Sequence, residues 1–217
     1  MLLKNISKPL DIEVFSSQSS VNEAVRTLLV SKLEKNEILN IAISGGSTPL
    51  PVFKHLGENP ISNESLNQLN VFWVDERFVP QNDPRNNYNK ANKYWLRKET
   101  KIGVFPIKTE KCTILESTKD YETRLPVNFQ LILLGMGDDG HIASLFPNQK
   151  FQSEVFHCVH SSDGTERVSI NHEVIVKADE VVLLIKGSKK LEVLNEDRAL
   201  PIHNLLRNKE VKVFYLE

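Results

Sequence analysis

The sequence predicts an α/β domain: a mainly parallel sheet with helices on both faces, in a single unit over residues 1–217. Three observations predict it. Several strand-like runs are continuously apolar instead of alternating, the pattern of parallel strands covered on both sides. Segments with helical periodicity lie between those runs, so strand alternates with helix. The length suits one large domain, and a chain of this size buries roughly 70–75% of its unfolded surface without staples.

In order, the first strand is IEVF (12–15). A helix is expected over SSVNEAVRTLLVSKLEK (19–35), where Val21, Ala24, Val25, Leu28, Leu29 and Leu33 recur at helical spacing. Ser20 and Glu23 fit a capping box at its start. LNIAIS (39–44) is the second strand, and the glycine-rich stretch after it leads into a helix with Pro49 or Pro51 in the first turn. NVFWVD (70–75) is a third strand, followed by a helix over NNYNKANKYWLRK (86–98). QLILLG (130–135) and EVVLLIK (180–186) are buried strands, SKKLEVLNE (188–196) is a helix and VKVFYL (211–216) a last strand. No repeat, low-complexity tract or Gly/Ser linker interrupts this order.

Composition narrows the function classes. Net charge is −1, which gives no bulk basic field for nucleic acid or an anionic membrane. No stretch approaches the ~20 apolar residues that span a bilayer. The opening MLLKNISKPLDIEVF lacks the long apolar core of a signal peptide. Cys112 and Cys158 are too few and too far apart for a disulfide framework. A cytoplasmic protein, with no membrane or nucleic-acid partner, is expected.

In open parallel sheets ligands bind beyond the carboxyl ends of the strands, and four polar segments follow strand ends here. SGGSTPLPVF (44–53) offers Gly45 and Gly46 for close backbone approach, the hydroxyls of Ser47 and Thr48, and a helix start whose N–H groups suit a phosphate. The same residues also suit a plain capped turn. VDERFVPQNDPRNNYN (74–89) groups Asp75, Glu76 and Arg77, and an arginine can hold a phosphate or carboxylate through two donors. A solvated Asp–Arg pair is the alternative. LILLGMGDDGHIASLFP (131–147) places Asp139 and His141 among Gly135, Gly137 and Gly140. Histidine titrates near neutrality and suits acid–base work, and a neighbouring carboxylate can orient its ring. In the fourth segment Arg167 precedes a short extended piece, and Lys190 opens a helix after Gly187. HCVH (157–160) lacks a second ligand pair at zinc spacing and reads as a strand edge. Walker, dinucleotide, G-x-S-x-G and H-E-x-x-H signatures are absent.

These segments, in this order, resemble the 6-phosphogluconolactonase family, in a superfamily with glucosamine-6-phosphate deaminases/isomerases. The resemblance rests on ISGGSTPLPVF, WVDERFVP, LLGMGDDGHIASLFP, RVSI and LLIKGSKK and runs from about residue 12 to the C-terminus. It implies a Rossmann-like fold and hydrolysis of 6-phospho-D-glucono-1,5-lactone to 6-phosphogluconate, without redox cofactor or obligatory metal. The small-molecule partner is that sugar-phosphate lactone, taken by a monomer or weak homodimer. His141 becomes the base, with Asp139 orienting it. Gly45, Gly46, Ser47, Thr48, Asp75, Arg77, Asn87, Gly137, Arg167 and Lys190 become substrate contacts. One departure is RNNYN, where Asn86 stands in place of the family's usual serine. The deaminase branch reads D-G-H-x-A-F-N-E-P, and here Phe146 fills the place of that glutamate; it also reads D-E-Y where this chain has DER. Both differences favour the lactonase over the deaminase. A non-catalytic sugar-phosphate sensor is the rival from another class, and no basic recognition helix precedes the first strand to support it.

Overall fold

The computed structural model describes residues 10–61, 68–99, 101–147, 153–159, 164–196 and 199–217. His160 of the HCVH stretch and the first nine residues lie outside them. The strands are β1 (Asp11–Phe15), β2 (Leu39–Ile43), β3 (Leu69–Trp73), β4 (Asp75–Arg77), β5 (Gly103–Phe105), β6 (Leu131–Gly135), β7 (Val155–Val159), β8 (Glu166–Ile170), β9 (Val181–Lys186) and β10 (Lys212–Leu216). The helices are α1 (Gln18–Lys35), α2 (Leu50–Glu58), α3 (Asn87–Tyr94), α4 (Ile114–Arg124), α5 (His172–Lys177), α6 (Ser188–Asn195) and α7 (Pro201–Asn208).

Seven strands form one sheet in the order β1-β10-β9-β6-β2-β3-β5, and every pair in it is parallel. Neighbouring side chains of a strand point to opposite faces, and five in a row on β9, Val181 to Ile185, are at most 1% exposed. Both faces of β9 are therefore covered, which is why it is apolar from Val181 to Ile185. Chain order reverses between β2 and β6: β2 leads to β3 on one side, β6 to β9 on the other. That reversal opens a crevice at the carboxyl ends of β2 and β6.

A second sheet, β4-β8-β7, is small and antiparallel. Here the structure corrects the expected strand over 70–75. The chain leaves the large sheet at Val74, whose N–H still donates to Ile43 O (3.0 Å) while its carbonyl accepts from Ile170 N (2.9 Å). Asp75, Glu76 and Arg77 thus belong to the small sheet.

The expected Ser20–Glu23 capping box is also corrected. Ser17 caps α1, its Oγ accepting from Ser20 N at 3.2 Å, and Glu23 turns instead to His55 (3.0 Å) and Arg26 (3.3 Å). A true capping box opens α4, between Thr113 and Glu116. The helix expected over 86–98 divides at Trp95 into α3 and a 3-10 turn, Leu96–Lys98. α3 packs on α2, and Gly57 lies against its end. A Cβ on Gly57 would run into the backbone carbonyl oxygen of Tyr94, with Trp95 Cα 3.2 Å away. Backbone cannot swing aside as a side-chain tip can. Gly57→Ala is therefore expected to lower stability by about 1–3 kcal/mol, read as a lower urea midpoint at unchanged slope.

Candidate active site

The crevice between β2 and β6 holds a cleft of about 160 Å³, lined among others by Thr48, Arg77, Gly137, His141, Arg167 and Lys190. The polar segments after the strands meet here. Gly45, Gly46, Ser47 and Asp75 complete the expected contacts that line it. Ser44, which sequence reasoning passed over, ties its two shores together: its Oγ accepts from Gly135 N at 3.0 Å and its N–H donates to Leu133 O at 2.9 Å.

After β6 the glycines fold a tight loop. Gly137 N donates to His141 O (2.9 Å) and Gly140 N to Gly137 O (3.1 Å), with Gly140 at φ 78°. This brings two side chains together: His141 Nδ1 lies 2.5 Å from Asp139 Oδ1, which also accepts from His141 N at 3.2 Å. A side chain on Gly137 would overlap that imidazole, so the absence of one makes room for the ring. The Phe146 ring stands 5.0 Å from the imidazole, tilted at 52°. Asp139 does not line the cleft; it backs His141. Its partial burial opposes ionisation, but the charge and hydrogen bonds of His141 outweigh that and hold the carboxyl below its ordinary range. Nδ1 is thus the ring nitrogen that Asp139 holds.

The small sheet supplies a second wall. In its register Arg77 faces Arg167, and Asp75 faces Ser169. Alternation puts Asp75, Arg77, Arg167 and Ser169 on one face and sends Glu76 to the other. Buried Asp75 accepts from Ser144 Oγ (2.7 Å) and lies 3.9 Å from Arg167 Nη1. Ser144 N donates to Ser169 Oγ (3.1 Å), which fixes the loop after His141 to β8. Arg167 lies over the Phe146 ring, 6.0 Å from its centroid. Lys190, in the first turn of α6, donates to Met136 O at 2.5 Å. Next to Met136's loop, Ala143 adopts a left-handed φ of 49°, a conformation that costs energy for any residue but glycine.

Asn87, also expected at the substrate, contacts Asp75 and Arg77 of the cleft wall. It is fully buried and is absent from the cleft lining. Its Nδ2 donates to Asp75 O (2.9 Å) and its Oδ1 accepts from Arg77 Nη1. Asn86, the departure from the family's serine, caps α3 by accepting from Asn89 N at 2.8 Å. Serine and asparagine are equally good caps, so the exchange leaves the site alone. Cys158 is buried, its thiol pushed up to about 11 chiefly by burial and turned toward Ser144 O (3.6 Å).

Glu76 was not singled out for a role by sequence. Its buried carboxylate accepts from the backbone N–H of Arg77, Asn87 and Tyr88 at 2.7–2.8 Å. Burial pushes its pKa up to about 7 from the ordinary 4.5; the Asn87 and Tyr88 hydrogen bonds oppose that and the Asp75 charge adds to it. A folded-state value above the unfolded one contributes stability in full below about pH 4.5, and that contribution is lost as pH rises through about 7. Glu76→Gln removes the titration. Urea melts from about pH 5 to about pH 8 should show wild type losing ground to the variant as pH rises.

The chain matches the family model described as glucosamine-6-phosphate isomerases/6-phosphogluconolactonase over residues 16–212. It is 32% identical to the 6-phosphogluconolactonase of Haemophilus influenzae over 202 residues, 88% of this chain and 86% of that protein. Identity to the 6-phosphogluconolactonase of Treponema pallidum is 30% over 209 residues, covering 88% and 87%. The crystal structure of the Thermotoga maritima 6-phosphogluconolactonase superposes with a TM-score of 0.85 at 28% identity, covering 96% of this chain and 99% of that one. With sheet order, cleft and sequence in agreement, the chain belongs to the glucosamine-6-phosphate isomerase/6-phosphogluconolactonase family.

Proposed function

We propose that the protein hydrolyses 6-phospho-D-glucono-1,5-lactone to 6-phospho-D-gluconate, the lactonase step of the pentose phosphate pathway. One observation carries the reading: an Asp-backed imidazole and three cations share one cleft at the sheet's reversal point. The lactone needs both, an acid–base group at its carbonyl and positive charge at its phosphate.

Water is a poor nucleophile, so His141 Nε2 takes one proton as the water oxygen bonds to C1. Base assistance of this kind contributes about 10²–10⁴-fold. Asp139 holds the ring by Nδ1 and stabilises the imidazolium that forms. The C1–ring oxygen bond then breaks, and the imidazolium returns its proton to the departing ring oxygen, which becomes a hydroxyl. The new carboxylic acid loses its proton to solvent. Charge growing on the carbonyl oxygen must meet donors, and Gly137 N–H is not among them, being committed to His141 O. Arg77, Arg167 and Lys190, with Gly46, Ser47 and Thr48, grip the phosphate remote from the reacting bond and hold the sugar in register. No residue in this scheme calls for a redox cofactor.

Phe146 against His141 also separates this site from the deaminase pattern, which has a glutamate at that place. The two free thiols suit a reducing cytoplasm, and we place the protein there. The test is to generate the lactone in place and follow its decay with and without protein, subtracting spontaneous opening. Acceleration supports the reading; decay at the background rate, or ammonia release from glucosamine 6-phosphate, defeats it.

A further inference from the structure

Arg77 reaches the cleft from a three-residue strand, and what holds it lies behind the cleft wall. The Glu76 carboxylate takes the N–H of Arg77 (2.8 Å) at the end of β4 and those of Asn87 (2.7 Å) and Tyr88 (2.8 Å) at the start of α3. It thus clamps the two ends of the intervening loop together. Asn87 is thereby set between Asp75 and Arg77, with its Oδ1 receiving the guanidinium. Gly45 closes the arrangement, because a Cβ on it would fall inside the Asn87 carboxamide. Its own backbone does not call for glycine; of the Gly45–Gly46 pair only Gly46 has a positive φ, 99°.

We propose that Glu76, Asn87 and Gly45 are positioning residues that fix the Arg77 guanidinium at the cleft, and that Gly45 serves Asn87 rather than a phosphate. The proposal rests on the reading of Arg77 as a substrate contact. An arginine side chain has many rotamers, and ordering it on binding weakens affinity. Holding it in place beforehand removes that loss. Such a device acts on ground-state binding and leaves proton transfer at His141 unchanged, so its signature is in KM and not in kcat.

The test compares Gly45→Ala, Glu76→Gln and Asn87→Ser, each alone and combined with Arg77→Gln, in steady-state kinetics on the full chain with thermal melts alongside. Each single positioning variant is expected to raise KM about 3–10-fold with kcat within about 2-fold. On the Arg77→Gln background none should raise KM further, since the group they position is gone. Effects that multiply across that background, or a normal KM in the folded single variants, overturn the proposal while leaving Arg77's role standing. An unchanged KM in Arg77→Gln alone overturns the reading of Arg77 and the proposal with it. Should Glu76→Gln fail to fold, Gly45→Ala decides. A phosphate-cradling glycine would lower affinity independently of Arg77, whereas one that makes room for Asn87 would not.

Discussion

Replacing His141 with alanine is expected to lower kcat by about 10²–10⁴-fold, the span of general-base assistance, while KM changes little. The imidazole is constrained on several sides: Asp139 at Nδ1 (2.5 Å), the bare Gly137 backbone beside it and the Phe146 ring 5.0 Å away. A group held that firmly contributes through orientation as well as basicity. Asp139→Asn is expected to act in the same direction with a smaller loss, because it leaves a ring of the wrong tautomer or orientation but still a ring. Initial rates on lactone generated in place, corrected for spontaneous opening, check both. Near-normal turnover in His141→Ala would mean that another group activates the water.

The second large effect is expected at the opposite end of the substrate. Arg167→Ala should raise KM by about 10–100-fold, since hydrogen bonds to charged groups contribute about 1.5–3 kcal/mol. Arg167→Lys should recover only part of it, because an ammonium lacks the planar fork that meets two phosphate oxygens. Lys190→Ala should raise KM as well, by less, because Lys190 is a half-buried point charge. Arg167 has a second task that the melting curve reads. It is the cation beside buried Asp75, so the alanine variant should also melt earlier. A KM that stays put in both Arg167→Ala and Lys190→Ala would remove the phosphate from this wall of the cleft.

Much of the scaffold was legible because parallel strands covered on both faces are predominantly apolar runs. β2, β6 and β9 read directly from Leu39–Ile43, Leu131–Gly135 and Val181–Lys186. The departure of the chain at Val74 was not, since Val74 simply continues an apolar run and the change of sheet depends on a partner, Ile170, nearly a hundred residues away. β5 is three residues long, too short to carry a period. α7 did leave a signal that went unread: Pro201 in its first turn, with Ile202, Leu205 and Leu206 buried at helical spacing. At the site, the glycines around Asp139 and His141 announced a constrained loop, and the cleft gathers Arg77, Arg167 and Lys190 from three separate segments. Asn87 and Glu76 show the limit. Whether a polar side chain meets a ligand or props up a neighbour that does is decided by tertiary contacts, and both readings use the same residue types.

The rung on which Arg77 and Arg167 oppose each other across β4 and β8 has a consequence for evolution at this fold. Like charges directly opposite weaken a strand pair, a repulsion that the phosphate dianion of the proposed substrate would relieve. A carboxylate at either position would turn the rung into an attractive pair and firm up the small sheet, while removing a cation proposed to hold the phosphate. Selection for robustness and selection for turnover therefore pull this one rung in opposite directions.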